Sequence, residues 1–309
     1  MTSSRFGRIG VLAGGPSNER EISLRSGRAV CEALSKEGCD AIFLDVRESV
    51  CDIIERSQID IAFIALHGRF GEDGTVQKIL EDAGIPYTGS GVKASRTALD
   101  KVASKEVFLK KGIPTPQYAV MSKGKSRAGT VRLPGFPVVV KPRFEGSSIG
   151  LSIVREEASL SEALARAFEY GENAVVEEYI DGRELTVGIL DDRPLPVIEV
   201  VPKNRVYDYS AKYKDPETLY KVPAPVGKSV YGRAQELGEA AHRALGCRCF
   251  SRVDMMADRG GELFVLEVNT IPGMTERSLL PKAAMTSGLE FGKLCIRLVE
   301  DALKRRKRS

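Results

Sequence analysis

Two short runs near the C-terminus carry side chains suited to metal and phosphate chemistry. The first reads Phe250-Ser251-Arg252-Val253-Asp254; the second reads Leu263-Phe264-Val265-Leu266-Glu267-Val268-Asn269 and continues into Thr270-Ile271-Pro272-Gly273. Each alternates apolar and polar residues at period two, the pattern of a strand with one polar face. Arg252 and Asp254 therefore share a face of one strand, and Glu267 and Asn269 share a face of the other. The Asp258-Arg259-Gly260-Gly261 connection predicts an antiparallel hairpin. A register with Asp254 opposite residue 265, 267 or 269 puts all four polar side chains on one face, with Phe264, Leu266 and Val268 packed behind. Two carboxylates and an amide oxygen are hard donors that suit Mg²⁺, an ion that usually binds phosphates beside a few carboxylates. A solvated polar face is the simpler alternative, because half-buried strands normally turn polar residues outward.

A second cluster stands at Lys141, at the end of the apolar run Phe136–Lys141, just before the loop Arg143-Phe144-Glu145-Gly146-Ser147-Ser148-Ile149-Gly150. A lysine at a strand end beside a Gly/Ser loop places a point charge and backbone N–H donors around phosphates. A solvated strand-end lysine is the alternative there.

These clusters need a scaffold. In the first hundred residues, apolar runs at Arg8–Ala13, Ala41–Asp45 and Ile59–Leu66 alternate with a helical stretch from Ile22 to Glu37, which predicts a parallel α/β sheet. Gly14-Gly15 after the first strand suggests a dinucleotide site, but no Gly-x-Gly-x-x-Gly spacing follows. A second unit opens near Leu99 with a helix through Lys110, the strand ending at Lys141, a helix over Leu160–Tyr170 and a strand over Ala174–Ile180. A third, richer in strand signals, begins near Arg183 and holds the hairpin. Its polar segment Lys203–Gly227 has the length of a lid or binding loop. The expected domains are 1–98, 99–182 and 183–309, and the expected class is mixed α/β and α+β.

The chain has 309 residues, 42% hydrophobic and 28% charged, which suits a soluble globular protein of two or three domains. Its net charge is +4, yet Lys304–Arg308 alone carries five positive charges, so the body is close to neutral. A basic tail without interleaved aromatics argues against a nucleic-acid interface. The six cysteines form no Cys-x-x-Cys pair and read as reduced thiols. With no signal-peptide pattern and no apolar stretch of membrane-spanning length, the expectation is a cytoplasmic protein that binds neither membrane nor nucleic acid.

Taken together, Lys141-Pro142 with Glu145–Gly150, Glu177-Glu178-Tyr179-Ile180 with Glu184, Arg252-Val253-Asp254 and Glu267–Gly273 resemble the ATP-grasp carboxylate-amine ligases. Within them the chain is most similar to the D-alanine–D-alanine ligase family, through Gly14-Gly15-Pro16-Ser17-Asn18-Glu19, Ala65-Leu66-His67 to Gly74-Thr75, and Tyr207 to Lys212-Tyr213. The resemblance spans about residues 8 to 300, in the expected order.

It implies a three-domain ATP-grasp fold, an N-terminal parallel α/β domain and two α+β domains clasping ATP. Asp254, Glu267 and Asn269 would hold two Mg²⁺ ions, with Mn²⁺ as a substitute. Lys101 and Lys141 would contact the α- and β-phosphates, Lys212 the γ-phosphate, and Ser148 would close over them. Glu177, Glu178 and Ile180 would line the adenine pocket and Glu184 would accept the ribose hydroxyls. Glu19 would bind the ammonium of the first D-alanine near His67, tied to Ser147 and Tyr213. Arg252 and the Gly273 N–H would form an oxyanion site, and Ser278 with the Leu279 N–H would receive the second carboxylate. The implied reaction joins two D-alanines through D-alanyl phosphate, for peptidoglycan precursors in a bacterial cytoplasm, by a homodimer.

Two positions depart from the family pattern. Arg143-Phe144 stands where a small polar residue and Arg are usual, and Glu178 where some members have Lys; the first bears on closing of the phosphate loop. A sister ligase making D-alanyl-D-lactate or D-alanyl-D-serine is the alternative within enzymes, and Tyr213 favours the dipeptide. A nucleotide-binding regulator that has lost turnover is the alternative outside them, and the retained Arg252, Asp254, Glu267 and Asn269 argue against it.

Overall fold

Alternating apolar and amphipathic stretches build the first unit. In the computed structural model, which describes residues 5–47, 49–124, 133–202 and 218–306, strands β1 (Arg8–Gly14), β2 (Asp40–Val46) and β3 (Ile61–Ile64) form a parallel sheet in the order β2-β1-β3. Parallel neighbours require crossovers. Helices α1 (Arg20–Lys36) and α2 (Val50–Ser57) supply them. α1 buries Ile22, Val30 and Leu34, and the chain leaves it through Gly38 at φ +80°, a left-handed stop that suits glycine. Helices α3 (Thr75–Asp82) and α4 (Val92–Leu99) complete this region.

Helix α5 (Lys101–Lys110) follows, its Phe108 buried among Leu185, Val253 and Val265 from later in the chain. The second unit holds an antiparallel sheet of β4 (Tyr118–Ser122), β5 (Val138–Pro142), β6 (Ser152–Val154) and β7 (Asn173–Glu178), in the order β4-β7-β5-β6. Helix α6 (Leu160–Phe168) lays Leu160, Ala163 and Ala167 on Val138, Val140 and Val176, covering one face and leaving the other for the site.

The third unit is also antiparallel. Strands β8 (Gly182–Leu190), β9 (Arg193–Pro194), β10 (Ile198–Val201), β11 (Leu219–Lys221), β12 (Phe250–Asp258) and β13 (Leu263–Asn269) run in the order β11-β10-β8-β12-β13, with β9 paired to β8. Helix α7 (Lys228–Ala244) packs Ala234, Leu237 and Ala241 against Leu185, Val187, Val253 and Val265. Of the segment read as a lid, residues 203–217 lie outside the described residues, while Leu219–Lys221 is an edge strand paired with β10. Helices α8 (Leu279–Thr286) and α9 (Phe291–Arg306) end the chain. α9 returns to the first unit, where Leu294, Leu298 and Val299 are buried with Val30, Leu34 and Phe63. The two ends of the chain thus share one core.

The β12–β13 hairpin pairs Arg252 with Asn269 and Asp254 with Glu267. This register puts the four polar side chains on one face, as the alternation requires. Immediately beyond, the pairing shifts by a bulge, Met255 lying opposite Val265. The extra residue, Leu266, reverses the alternation from that point. Leu263, Val265 and Val268 therefore pack behind the hairpin, whereas Leu266 lines the cavity on the polar side. The expectation that Phe264 and Leu266 pack behind with Val268 is corrected on this point. Among the described residues no helix is long and apolar enough to cross a membrane.

Candidate active site

A cavity of about 530 Å³ opens between the uncovered face of the second sheet and the third sheet. Lys101, Lys141, Ser148, Glu177, Glu178, Ile180, Glu184, Asp254 and Glu267 all line it, and Val139, Ile153, Met256 and Leu266 give it apolar walls. A slot with apolar walls and charged ends fits a nucleotide-sized ligand.

The lysines are held by buried carboxylates. Glu177, on β7 directly opposite Val139 of β5, turns its side chain inward by the strand's period of two. Its Oε2 lies 2.8 Å from Lys141 Nζ and its Oε1 3.2 Å from Lys105 Nζ. Lys105 is fully buried and also donates to Thr115 Oγ1 at 2.6 Å. Burial lowers the Lys105 pKa to about 8, against the opposing pull of Glu177. Burial works against the Glu177 charge too, but Lys141 and Lys105 outweigh it and hold its pKa below the usual carboxylate range. Burial likewise lowers the Lys101 pKa, partly offset by Glu267. Lys101 Nζ lies 3.7 Å from Glu267 Oε2 and donates to the Glu145 carbonyl at 2.5 Å.

Arg143, where the chain departs from the family pattern, is anchored by Asp100. Its guanidinium makes two bonds to Asp100, at 2.7 and 2.6 Å, and stacks 5.0 Å from the Phe144 ring centroid. Asp100 Oδ1 also accepts from the N–H groups of Val102 and Ala103, capping α5. The loop's first residue is thereby fastened to the start of the helix that carries Lys101.

On the metal-type face, Arg252 forks onto Asp254, Nε to Oδ1 at 2.8 Å and Nη2 to Oδ2 at 2.6 Å, and Thr186 Oγ1 donates to Asp254 Oδ1 at 2.6 Å. Asn269 Oδ1 accepts from the Ile271 N–H at 3.0 Å. Among the described residues no group of three or more His, Cys, Asp or Glu side chains is poised around one point. Two facing carboxylates and an amide oxygen nonetheless fit Mg²⁺, which keeps much of its coordination for phosphate and water.

A second cluster adjoins the cavity at the 145–150 loop. Ser147 Oγ donates to Glu19 Oε1, and a Cβ on Gly146 would come within 2.7 Å of Glu19 Oε2. Ser147 and Ser148 hold φ of +50° and +57°, a left-handed turn that aims the loop's N–H groups. His67 Nε2 lies 3.0 Å from Ser26 Oγ, and Ser26 Oγ accepts from the Met274 N–H at 3.2 Å. Gly273 precedes Met274, and its Cα region approaches Ser278, whose Oγ would be 3.1 Å from an added Cβ. Ser278 accepts from the Thr275 N–H at 3.1 Å and stands at the cap of α8, so the Leu279 N–H is one of that helix's first open donors. Ser17 Oγ links the two sets, donating to the His67 carbonyl at 2.6 Å and accepting from the Glu19 N–H at 3.2 Å, so the fold gathers Glu19, His67, Ser147, Gly273 and Ser278 into connected contacts. Lys212 and Tyr213 lie outside the described residues.

Sequence reasoning missed Lys105, Thr115, Ser26, Thr186 and Asp100. The one legible trace was that Lys105 stands four residues after Lys101 on a helix, which shares a face with it.

The architecture is that of the ATP-grasp fold, with the nucleotide-sized cavity between two antiparallel sheets. The family model described as the D-ala D-ala ligase C-terminus matches residues 107–300, and that of the D-ala D-ala ligase N-terminus matches residues 50–90. The D-alanine–D-alanine ligase of Syntrophotalea carbinolica is 49% identical over 299 residues, covering 97% of each chain. That of Geobacter sulfurreducens is 49% identical over 296 residues, 96% of this chain and 94% of its own. The crystal structure of the Bacillus anthracis D-alanine–D-alanine ligase superposes with a TM-score of 0.86 at 38% identity, over 97% of this chain and 99% of that one; the same ligase complexed with ATP gives 0.85 at 35%. The chain belongs to the D-alanine–D-alanine ligase family.

Proposed function

We propose that the protein joins two D-alanine molecules to D-alanyl-D-alanine at the expense of ATP, passing through D-alanyl phosphate. The observation that carries this reading is the junction at the 145–150 loop, where a phosphate-type site of lysines, N–H donors and facing carboxylates meets a buried acidic pocket at Glu19. Glu19 holds the ammonium of the first D-alanine, with Ser147 fixing its carboxylate and His67 beside it. The first substrate's carboxylate oxygen attacks the γ-phosphorus, and the bond from that phosphorus to ADP breaks. Lys101 and Lys141 neutralise the phosphates, Ser148 covers them, and Glu184 accepts the ribose hydroxyls. Glu178 and Ile180 meet the adenine.

The second D-alanine's amine then attacks the acyl carbon and phosphate leaves. Arg252 and the Gly273 N–H stabilise the oxyanion of the tetrahedral intermediate, while Ser278 and the Leu279 N–H hold the incoming carboxylate. Asp254, Glu267 and Asn269 would hold Mg²⁺, two ions in the full reading, which supplies charge neutralisation on the phosphates. The reading extends to a cytoplasmic homodimer supplying peptidoglycan precursors.

The test is ATP-dependent phosphate release with D-alanine, L-alanine, D-lactate plus D-alanine, or no substrate, with products identified by mass. Release with D-alanine alone and a D-alanyl-D-alanine mass is expected. A depsipeptide mass as the main product would move the reading to the sister ligase, and no release in any mixture would contradict it.

A further inference from the structure

Glu145 joins the two halves of the site through two different groups. Its carbonyl accepts from Lys101 Nζ at 2.5 Å, on the nucleotide side. Its carboxylate, only 8% exposed, lies 3.3 Å from Arg69 Nε and accepts from Asn18 Nδ2 at 3.3 Å, both from the first unit. Asn18 directly precedes Glu19. Arg69 reaches further, its Nη2 donating to the Tyr170 carbonyl at 2.8 Å. Tyr170 is the ring on which Gly150 rests, since a Cβ at Gly150 would lie 2.8 Å from it. One guanidinium of the first unit therefore touches the start of the phosphate loop and the support of its end.

We propose that Arg69 is a positioning residue which, through Glu145, clamps the phosphate loop to the first-substrate pocket, so that the γ-phosphoryl group passes to the substrate carboxylate rather than to water. This rests on the ligase reading above. Between the clamped ends, Ser147 and Ser148 hold left-handed φ values that a loop keeps only when its surroundings over-determine it. Freed at Glu145, the loop loses the geometry that brings Ser147 onto Glu19. Water then reaches the γ-phosphorus, and its attack yields ADP, phosphate and a proton with no acyl phosphate.

The experiment compares the unsubstituted protein with Arg69→Ala, Arg69→Lys and Glu145→Gln, reading phosphate released per dipeptide, the KM values for D-alanine and ATP, and thermal melting. Arg69→Ala and Glu145→Gln are each expected to raise the phosphate-to-dipeptide ratio by about threefold or more, the scale of a partly exposed ion pair. The KM for D-alanine should rise more than that for ATP, Arg69→Lys should restore much of the ratio, and the melting temperature should hold. An unchanged ratio in Arg69→Ala would overturn the clamp, as would a ratio raised by Arg69→Ala but not by Glu145→Gln, which would place the effect at Tyr170 alone. Phosphate release without any dipeptide from the unsubstituted protein would instead overturn the ligase reading itself, and the clamp with it.

Discussion

The Glu177 carboxylate lies 2.8 Å from Lys141 Nζ, and both side chains are buried. A lysine meant to meet phosphates is thus fixed in place by an acid that is itself balanced by Lys105 on its other oxygen. Removing one member of such a group leaves an uncompensated charge, which costs about 3–5 kcal/mol. Glu177→Leu should therefore lower stability by about that amount in chemical denaturation, and a loss under 1 kcal/mol would contradict the balance described.

Lys105 gives this group a pH signature. Its folded pKa of about 8 lies below the unfolded value of about 10.4. Between those values the unfolded chain binds more protons, so this group's contribution to stability rises with pH; it is fully present above the unfolded pKa and lost as pH falls through about 8. The unsubstituted protein should accordingly gain stability relative to Lys105→Met between about pH 8 and 10. Parallel stability curves for the two proteins over that window would show that Lys105 titrates normally.

Arg252 forks onto Asp254 from the hairpin face expected to meet the oxyanion. Lysine keeps the charge and loses the fork. Arg252→Lys should lower kcat by about 10²–10³-fold, the scale of one lost oxyanion donor, with the ATP KM moved only a few-fold. Steady-state kinetics decide it, and a change confined to the ATP KM would assign Arg252 to nucleotide binding instead.

Ser26 accepts the Met274 N–H and contacts His67, at 3.2 and 3.0 Å, in a buried setting. Ser26→Ala leaves that N–H without its acceptor, at a cost of about 1–3 kcal/mol. Urea denaturation measures it. A neutral substitution would mean the loop after Gly273 is fixed by its other contacts.

The strand alternation was enough to put Arg252, Asp254, Glu267 and Asn269 on one face, because a slip by one residue would turn them over, but it left Asp254 opposite residue 265, 267 or 269, and the folded hairpin selects Glu267. The bulge was not legible: Leu263–Leu266 is an unbroken apolar run that does not mark where the alternation shifts, and the shift is seen only in the pairing of β13 with β12. Lys105 was hidden for a related reason. An isolated helical lysine reads as solvated, and only the fold brings Thr115 and Glu177 to it. The bends at Ser147 and Ser148 are equally tertiary, since neither serine signals positive φ by itself. By contrast, Lys101, Lys141, Glu184, Asp254 and Glu267, far apart in sequence but each singled out in it, all line one cavity.

The bulge also has a functional consequence, because it turns Leu266 into the cavity. Leu266→Ala should raise the KM for ATP about tenfold through lost apolar contact, leaving the KM for D-alanine nearly unchanged. The reverse pattern in initial-rate kinetics would place Leu266 outside the nucleotide's reach.

Direct transfer of the γ-phosphoryl group to a carboxylate oxygen can be followed with D-alanine labelled with ¹⁸O in its carboxylate, incubated with ATP and Mg²⁺, the released phosphate and the peptide being analysed by mass. The account predicts phosphate that carries one ¹⁸O for each D-alanyl-D-alanine formed. Unlabelled phosphate, with or without peptide, would contradict it.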